Sequence, residues 1–366
     1  MSKYSKIYFI GVGGIGMSAI ARYYKFKGYP VAGYDRTPSD LTHALEKEGI
    51  DIHYKDDPDY IPKDVASTLV VYTPAIPADL QELVYVREHG YTLVKRSRML
   101  GELAEGQTCL AVAGTHGKTT TSTLVAHILT ESGKGCSAFL GGISKNYDTN
   151  LLTSHTPTIV AEADEFDRSF LQLHPAIAAI TAMDADHLDI YGTLEEYRKA
   201  FKAFASQVSR TLIVKLGLDI TAEDTNARIL HYSYDNPDAD YHAANPRPDE
   251  VGHYIFDLVY PGGVIGNIRV GIPGWVNVEN SVAAAAVCLC HGVAPEAIKE
   301  AIGTYSGVRR RLDVHLNTPH LSYIDDYAHH PGELKALLDT VENLNYKRTV
   351  VVFQPHTYSR TAALFD

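Results

Sequence analysis

Strand-length apolar runs alternate with helix-like patterns along most of the chain, and several runs end in glycine turns. The run from Lys6 to Ile10 is followed by glycines between residues 11 and 16, and then by a helix pattern from Met17 to Phe26. The run from Cys109 to Ala113 leads through a second glycine turn into a helix pattern from Ser122 to Leu129. Alternation of this kind predicts an α/β protein built on mainly parallel sheets.

The middle of the chain continues the pattern. Strand patterns from Thr158 to Ala163 and from Ala176 to Thr181 each run into a cluster of acids. Two further strand patterns surround Pro261-Gly262-Gly263, which is typical of a hairpin. Asn277 is predicted to cap a helix from Ser281 to Cys290.

Three segments of different size follow from these patterns. The first domain is predicted over residues 1–106, the second over 107–313 and a third over 314–366. The third holds a strand from Leu321 to Asp325, a helix from Gly332 to Val341 and a strand from Arg348 to Phe353. Because about 53 residues are too few for an independent core of this type, we expect the third domain to be incomplete.

Composition excludes several classes of protein. The 366 residues are 45% hydrophobic and carry 33 Lys and Arg against 44 Asp and Glu, a net charge of −11. This acidic balance argues against a non-specific nucleic-acid or anionic-membrane partner. The sequence contains no predicted signal peptide or membrane span, and its four cysteines lack metal-ligand spacing. We therefore expect a soluble protein of the reducing cytoplasm, whose oligomeric state stays open.

The second glycine turn predicts a phosphate site. A strand, a tight turn and a helix N-terminus direct backbone N–H groups and a positive dipole toward one point. Lys118 adds a positive charge there, and Thr119 offers a hydroxyl to Mg²⁺. The turn is shorter than the standard phosphate loop, so an ordinary strand-to-helix turn stays an alternative. The predicted phosphate-binding residues are Gly114, Thr115, His116, Gly117, Lys118, Thr119 and Thr120.

Acids at two strand ends predict a metal site beside this turn. The carboxyl ends of parallel strands meet at one crevice, so Glu162 and His187 are expected near Lys118. A divalent ion that bridges phosphates prefers carboxylates, with an occasional imidazole, and these two residues are the predicted ligands together with Thr119. The neighbouring acids, Glu165 and several aspartates, are explained at least as well as solvated loop acids or helix caps.

The first glycine turn has the pattern G-x-G-G-x-G and is followed by a strand that ends in Asp35. Such a turn admits a diphosphate, while the acid at the strand end accepts a hydrogen bond from a ribose or base. A dinucleotide and a nucleotide sugar both fit, because the turn binds phosphates only. The predicted residues are Gly11, Gly13, Gly14, Ile15, Gly16 and Asp35.

Taken in order, these motifs resemble those of the Mur ligase family. The likeness includes both glycine turns, the acids after Glu162 and Asp184, the helix start at Asn277, the arginines after Gly307, and the stretches that begin at Asp325 and Phe353. The resemblance implies a Rossmann-like first domain for a UDP substrate, a central ATPase domain, and a Rossmann-like C-terminal domain for ATP and an amino acid.

The resemblance also implies roles for individual residues. The first turn and Asp35 hold the UDP portion, Lys118 and Thr119 hold the ATP phosphates, and Glu162 and His187 hold Mg²⁺. Asn277 and Asn280 are expected near the adenine, and Arg310 near the γ-phosphate. At the domain interface where the amino acid joins, the expected residues are Asp325, His329, His356 and Arg360.

The implied reaction joins L-alanine to UDP-N-acetylmuramate through an acyl phosphate at the expense of ATP, in the synthesis of peptidoglycan precursors. A related ligase that attaches a tripeptide to the same sugar is the nearest alternative. A nicotinamide-dependent oxidoreductase explains the first turn only. A nucleotide-binding module without catalysis is a third possibility, because the last domain is expected to be incomplete.

Overall fold

The structure is a computed structural model that describes residues 4–249, 252–318, 320–344, 346–355 and 361. Within these ranges the side chains of residues 188–189 are not described. No helix of the described part is long and apolar enough to cross a membrane.

The first domain is a five-stranded parallel sheet with strand order β3-β2-β1-β4-β5. Alternate side chains of the central strand point to opposite faces, so Phe9 joins the core on one side and Tyr8 the core on the other. Both faces are therefore buried. The elements are β1 (Lys6–Ile10), α1 (Ile15–Phe26), β2 (Val31–Tyr34), α2 (Asp40–Lys47), β3 (Asp51–His53), β4 (Thr68–Tyr72), α3 (Gln81–Glu88), β5 (Thr92–Lys95) and α4 (Arg96–Ala104).

The second domain contains a ten-stranded sheet with order β15-β14-β13-β12-β11-β10-β6-β9-β7-β8. Its centre is parallel, whereas β13, β14 and β15 at one edge and the pair β7 and β8 at the other are antiparallel. The elements are β6 (Thr108–Ala113), α5 (Lys118–Glu131), β7 (Ser137–Ser144), β8 (Thr149–Leu152), β9 (Thr158–Ala163), β10 (Ile177–Ile180), α6 (Leu188–Tyr191), α7 (Leu194–Ser206), β11 (Thr211–Lys215), β12 (Arg228–Ser233), β13 (Tyr241–Pro248), β14 (His253–Tyr260), β15 (Gly263–Pro273), α8 (Trp275–Cys290) and α9 (Pro295–Thr304).

The helix that follows β15 begins earlier than the sequence predicts. It starts at Trp275 after Gly274, whose φ of +93° turns the chain into the helix, so Asn277 lies in the first turn and is not its cap. The Asn277 side chain instead donates from Nδ2 to the Pro273 carbonyl at 2.6 Å. The prediction that Asn277 caps a helix starting at Ser281 was wrong.

The last described segment differs from the predicted strand, helix and strand. An antiparallel pair, β16 (Asp313–Asn317) and β17 (Ser322–Asp325), precedes α10 (Pro331–Asn343). Residues 348–353 form no strand, and Val352 is 93% exposed. A strand needs a neighbour for its backbone groups, and no described residue pairs with this segment, so the apolar pattern alone was insufficient.

The first two domains share one hydrophobic core. The rings of Tyr23 in α1 and Phe139 in β7 lie 5.3 Å apart. Beside them, Nδ2 of Asn150 donates to the Ile15 carbonyl at 2.6 Å and to the Ser18 hydroxyl at 2.9 Å, while its Oδ1 accepts from Arg22. Asn150 therefore holds the first helical turn after the first glycine turn against the second domain.

Replacement of Asn150 by alanine is predicted to lower the free energy of unfolding by about 2–4 kcal/mol, because a fully buried side chain and its partners lose their hydrogen bonds. Urea unfolding checks this. Asn317→Ala, on an exposed position of β16, is the control and should change the value by less than about 0.5 kcal/mol. Equal effects of the two substitutions would contradict the assigned role of Asn150.

Candidate active site

A cleft of about 530 Å³ lies between the two domains and is closed on a third side by the last segment. Both glycine turns contribute to its wall. The lining includes Gly14, Ile15, Gly16, Arg96, Thr115, Gly117, Lys118, Thr119, Thr120, Gly141, Glu162, Asp164, Glu165, Asp186, His187, Arg311, Tyr327, His329 and Glu333.

The second glycine turn connects the end of β6 to the start of α5. Gly114 has φ of +139°, and a Cβ there would overlap the hydroxyl of Thr181. Gly117 has φ of +79°, directly before the helix begins at Lys118. These conformations favour glycine, and they place the N-terminal end of α5 toward the cleft.

Lys118 is held by its own turn and by an acid. Its Nζ donates to the Gly114 carbonyl at 2.6 Å and lies 2.8 Å from Oε2 of Glu165, whose side chain is 1% exposed. Burial by itself lowers the pKa of Lys118, but the carboxylates of Glu165, Asp164 and Glu162 outweigh it and raise the pKa. Lys118 therefore remains charged in the cleft.

Several carboxylates share this one ammonium group. Burial, which Lys118 only partly offsets, raises the pKa of Glu165 to about 7, and burial also raises the pKa of Glu162. The lysine thus keeps its proton, and its single positive charge is too little to balance the carboxylates around it. A site with an excess of buried carboxylates favours a cation.

Glu162 has the surroundings of a metal ligand. Glu162 and Thr119 both line the cleft, and the buried Oε2 of Glu162 has no hydrogen-bond partner among the described residues. Gly141 lies so close that a Cβ there would overlap the carboxylate. An unpartnered carboxylate oxygen beside a hydroxyl fits a hard divalent cation.

His187 lies in the same cleft, nearer to Glu165. Its Nε2 is 3.6 Å from Oδ2 of Asp186 and 3.9 Å from Oε1 of Glu165. Its φ of +53° is unusual for a residue with a side chain. The described residues contain no group of three or more His, Cys, Asp or Glu placed to hold a metal by themselves, so Thr119, Glu162 and His187 stay a predicted ligand set.

The first glycine turn is held by the acid that follows β2. Oδ2 of Asp35 accepts from the Gly13 N–H at 2.7 Å, and Oδ1 accepts from the Thr37 N–H at 3.2 Å. Gly11 has φ of +87°. Arg96 packs against Gly16, where a Cβ would lie 2.7 Å from its Nη1. Asp35 thus orders the predicted diphosphate turn, whereas its contact with a nucleoside stays a prediction.

Arg310 and Arg311, in the segment before β16, have side chains in different surroundings. Arg310 has φ of +60° and Leu312 φ of +45°, both uncommon for such residues. Arg311, between them, lines the cleft, whereas Arg310 is 63% exposed with its Nε 3.7 Å from Oδ2 of Asp325. Neither Arg310 nor Asp325 is among the cleft-lining residues.

The two predicted adenine residues lie behind the phosphate turn. Oδ1 of Asn280 accepts from the Thr121 hydroxyl at 3.3 Å, and a Cβ on Gly117 would lie 2.8 Å from the same oxygen. Asn277 and Asn280 are both buried and neither lines the cleft. They support the turn, and their contact with adenine stays a prediction.

Of the residues predicted from the third segment, His329 lines the cleft. Its Nδ1 lies 2.7 Å from the Tyr327 carbonyl. His356 and Arg360 lie outside the described residues.

Among the cleft-lining residues that the sequence did not predict as site residues are Arg96, Glu165, Arg311 and Glu333. Glu165 was placed among the solvated loop acids or helix caps, and Arg311 adjoins the predicted Arg310. For Arg96 and Glu333 the sequence holds no local signal, because each depends on contacts between separate domains.

Comparison with known proteins covers the whole chain. Residues 6–108 match the family model "Mur ligase family, catalytic domain", residues 112–288 "Mur ligase middle domain" and residues 310–366 "Mur ligase, glutamate ligase domain". These limits are compatible with the predicted domain boundaries, which stay predictions.

Curated relatives and a solved structure agree with the models. The UDP-N-acetylmuramate--L-alanine ligase of Porphyromonas gingivalis is 48% identical over 99% of this chain and 81% of its own length. That of Flavobacterium johnsoniae is 45% identical over 100% of this chain and 81% of its own. The UDP-N-acetylmuramate-alanine ligase structure from Thermotoga maritima matches with a TM-score of 0.85 at 30% identity, covering 98% of this chain and 83% of that one. The predicted α/β fold with parallel sheets is confirmed, and the chain belongs to the Mur ligase family.

Proposed function

We propose that this chain is an ATP-dependent ligase that joins L-alanine to UDP-N-acetylmuramate in peptidoglycan precursor synthesis. The observation that carries the proposal is the single cleft that gathers both glycine turns, Lys118 and the acids at the carboxyl end of β9. A nucleotide-sugar diphosphate and a nucleoside triphosphate require two separate phosphate turns, and here both face one space. The names of the relatives supply the two substrates.

The residues suit transfer of a phosphoryl group to a carboxylate. The muramoyl carboxylate oxygen attacks the γ-phosphorus of ATP, the bond to the bridging oxygen breaks, and ADP leaves. Two anions must meet, so the barrier is lowered mainly by positive charge and positioning. Lys118 and the backbone N–H groups at the start of α5 would supply this charge on one side, and Arg311 on the other.

The second step forms the amide. The neutral amine of L-alanine attacks the acyl carbon, the carbon–oxygen bond to phosphate breaks, and the amine loses one proton. His329 lines the cleft on the side formed by the last segment. An imidazole there would be suited to take up that proton.

Glu162, Thr119 and His187 are proposed to hold Mg²⁺. When bound, the ion would neutralise charge on the β- and γ-phosphates. The unpartnered Oε2 of Glu162 supports this assignment.

The alternatives explain less of the cleft. A nicotinamide oxidoreductase leaves the second glycine turn and its acids without a use. A tripeptide ligase shares the same first step, and it differs in the amine that it accepts. We place the enzyme in the cytoplasm, where ATP is available.

The proposal predicts which ligands bind and which product forms. Calorimetry should detect binding of UDP-N-acetylmuramate and of ATP with Mg²⁺. With L-alanine present, mass spectrometry should detect the alanyl product and equal amounts of ADP and phosphate. Use of a tripeptide in preference to L-alanine would favour the alternative ligase. Tight NADH binding without binding of the UDP sugar would overturn the proposal.

Lys118→Ala is predicted to lower phosphate release by at least about 10³-fold, because the charge beside the transferred group is lost. Glu165, left without its partner, can take up a proton, so the fold should persist. A coupled assay of phosphate release measures the activity, and circular dichroism checks that the fold persists. Lys134→Ala, at an exposed position, is the control, and retained turnover in Lys118→Ala would show that the turn has another use.

The neighbouring arginines give a direct comparison. Arg311→Ala is predicted to lower kcat by about 10²–10³-fold, because Arg311 alone of this pair lines the cleft. Arg310→Ala should change kcat by less than about threefold, as expected for a largely exposed side chain. Steady-state kinetics at saturating substrates distinguish them. The reverse order would restore Arg310 as the γ-phosphate contact.

A further inference from the structure

Glu333 is the third residue of α10 and stabilises the start of that helix. Its Oε2 accepts from the backbone N–H groups of His329 at 3.1 Å and His330 at 3.4 Å. Such contacts satisfy donors that a helix leaves unpaired at its N-terminus. They account for one carboxylate oxygen and leave the other for a different partner.

The second oxygen reaches the phosphate turn of the other domain. Oε1 of Glu333 lies 3.2 Å from Nδ1 of His116 and 3.9 Å from Nη1 of Arg311. The side chain of Glu333 is 17% exposed and that of His116 is 22% exposed. One carboxylate thus contacts the turn that faces the nucleotide and the arginine that lines the opposite wall.

His116 belongs to the phosphate turn but is not among the residues that line the cleft. Its ring lies between Glu333 and Asp184, whose Oδ2 is 3.4 Å from Nε2, and its centroid is 4.6 Å from that of the His330 ring. The His116 carbonyl accepts from the Thr181 hydroxyl, so the ring is attached to an ordered backbone. A force on the ring is therefore transmitted to the turn.

The charges around His116 agree with an ion pair. Burial by itself lowers the pKa of His116, but the carboxylates of Asp184 and Glu333 raise it to about 9. Burial likewise opposes ionisation of Glu333, and His116 together with Arg311 outweighs it and holds the pKa of Glu333 well below its ordinary value. The groups that face the His116 ring are Asp184, Glu333 and His330, with Arg311 beyond Glu333.

We propose that Glu333 is a positioning residue that acts through His116 to hold the phosphate turn in its nucleotide-binding arrangement. By the same contact it fixes the last segment, with Tyr327 and His329, against the central domain. Triphosphate binding and placement of the last segment are then coupled, since each favours the arrangement in which the pair is formed. This inference rests on the proposed function only for the identity of the nucleotide.

The test compares Glu333→Gln with the wild type. Glutamine keeps the length of the side chain and an acceptor for the helix start, but it removes the charge that holds His116. We expect the Kd for ATP with Mg²⁺, measured by calorimetry, to rise about 5–20-fold, while the Kd for UDP-N-acetylmuramate stays within about twofold. The pKa of His116, followed by NMR of the ring nitrogens, should fall by about one pH unit.

A double-mutant cycle separates positioning from helix capping. The cycle combines Glu333→Gln with His116→Asn, and the ATP affinities of the two single variants and the double variant are compared with that of the wild type. If the pair acts as a unit, the double variant should lose no more affinity than the worse single variant. Lys335→Ala, which removes an exposed i,i+4 partner of Asp339 on the same helix, is the control and should leave ATP affinity unchanged.

Two outcomes would overturn the inference. Additive losses in the cycle would show that Glu333 and His116 act separately. A lower melting temperature in Glu333→Gln with unchanged ATP affinity would show that Glu333 only caps the helix. Neither result depends on turnover, so failure of the inference is distinguishable from failure of the proposed ligase activity, which the product assay measures.

Discussion

The contact between Lys118 and the acids around it is the constraint on which the site depends. One ammonium group faces Glu165, Asp164 and Glu162, and burial makes each uncompensated charge costly. Glu165 neutralises the charge of Lys118, and the remaining carboxylates leave an excess of negative charge around it. A triphosphate that binds together with a divalent cation would balance these charges, because its phosphates would pair with Lys118 and the cation would bind the carboxylates.

Much of this arrangement follows from sequence because parallel strands place their carboxyl ends together. The glycine pattern after β6 and the acids after β9 and β10 were enough to predict a common crevice. The sequence was insufficient where backbone conformation or distant contacts decide. Positive φ angles on both sides of Arg311 direct that residue, and not Arg310, to the cleft. Residues 348–353 have a strand-like pattern, but pattern supplies no pairing partner. Arg96 and Glu333 depend on packing between domains, which no local signal reports.

The cleft is bounded by two interfaces, one apolar between the first and second domains and one partly polar between the second domain and the last segment. The first and second domains share an apolar core, and Asn150 ties the start of α1 to β8 through buried hydrogen bonds. Such an interface keeps the two glycine turns at a fixed separation, which suits two phosphate-bearing ligands that must react with each other. The last segment meets the central domain partly through charged side chains, including His116, Glu333 and Arg311. Polar interfaces of this kind are more readily opened than apolar ones.

The difference between the apolar and the polar interface matters for protecting the acyl phosphate from hydrolysis. An acyl phosphate is hydrolysed if water reaches it, so the last segment, which we propose to bring the amine, should be in place before the phosphoryl group moves. Glu333 joins that segment to the phosphate turn by a polar contact, and each partner has a further polar partner of its own, the helix start for Glu333 and Asp184 for His116. A fixed apolar interface would hold the segment in place but would also trap the products. A charged contact that responds to the state of the phosphate turn satisfies both requirements, and this is the physical reason to expect an ion pair at that position rather than packed apolar side chains.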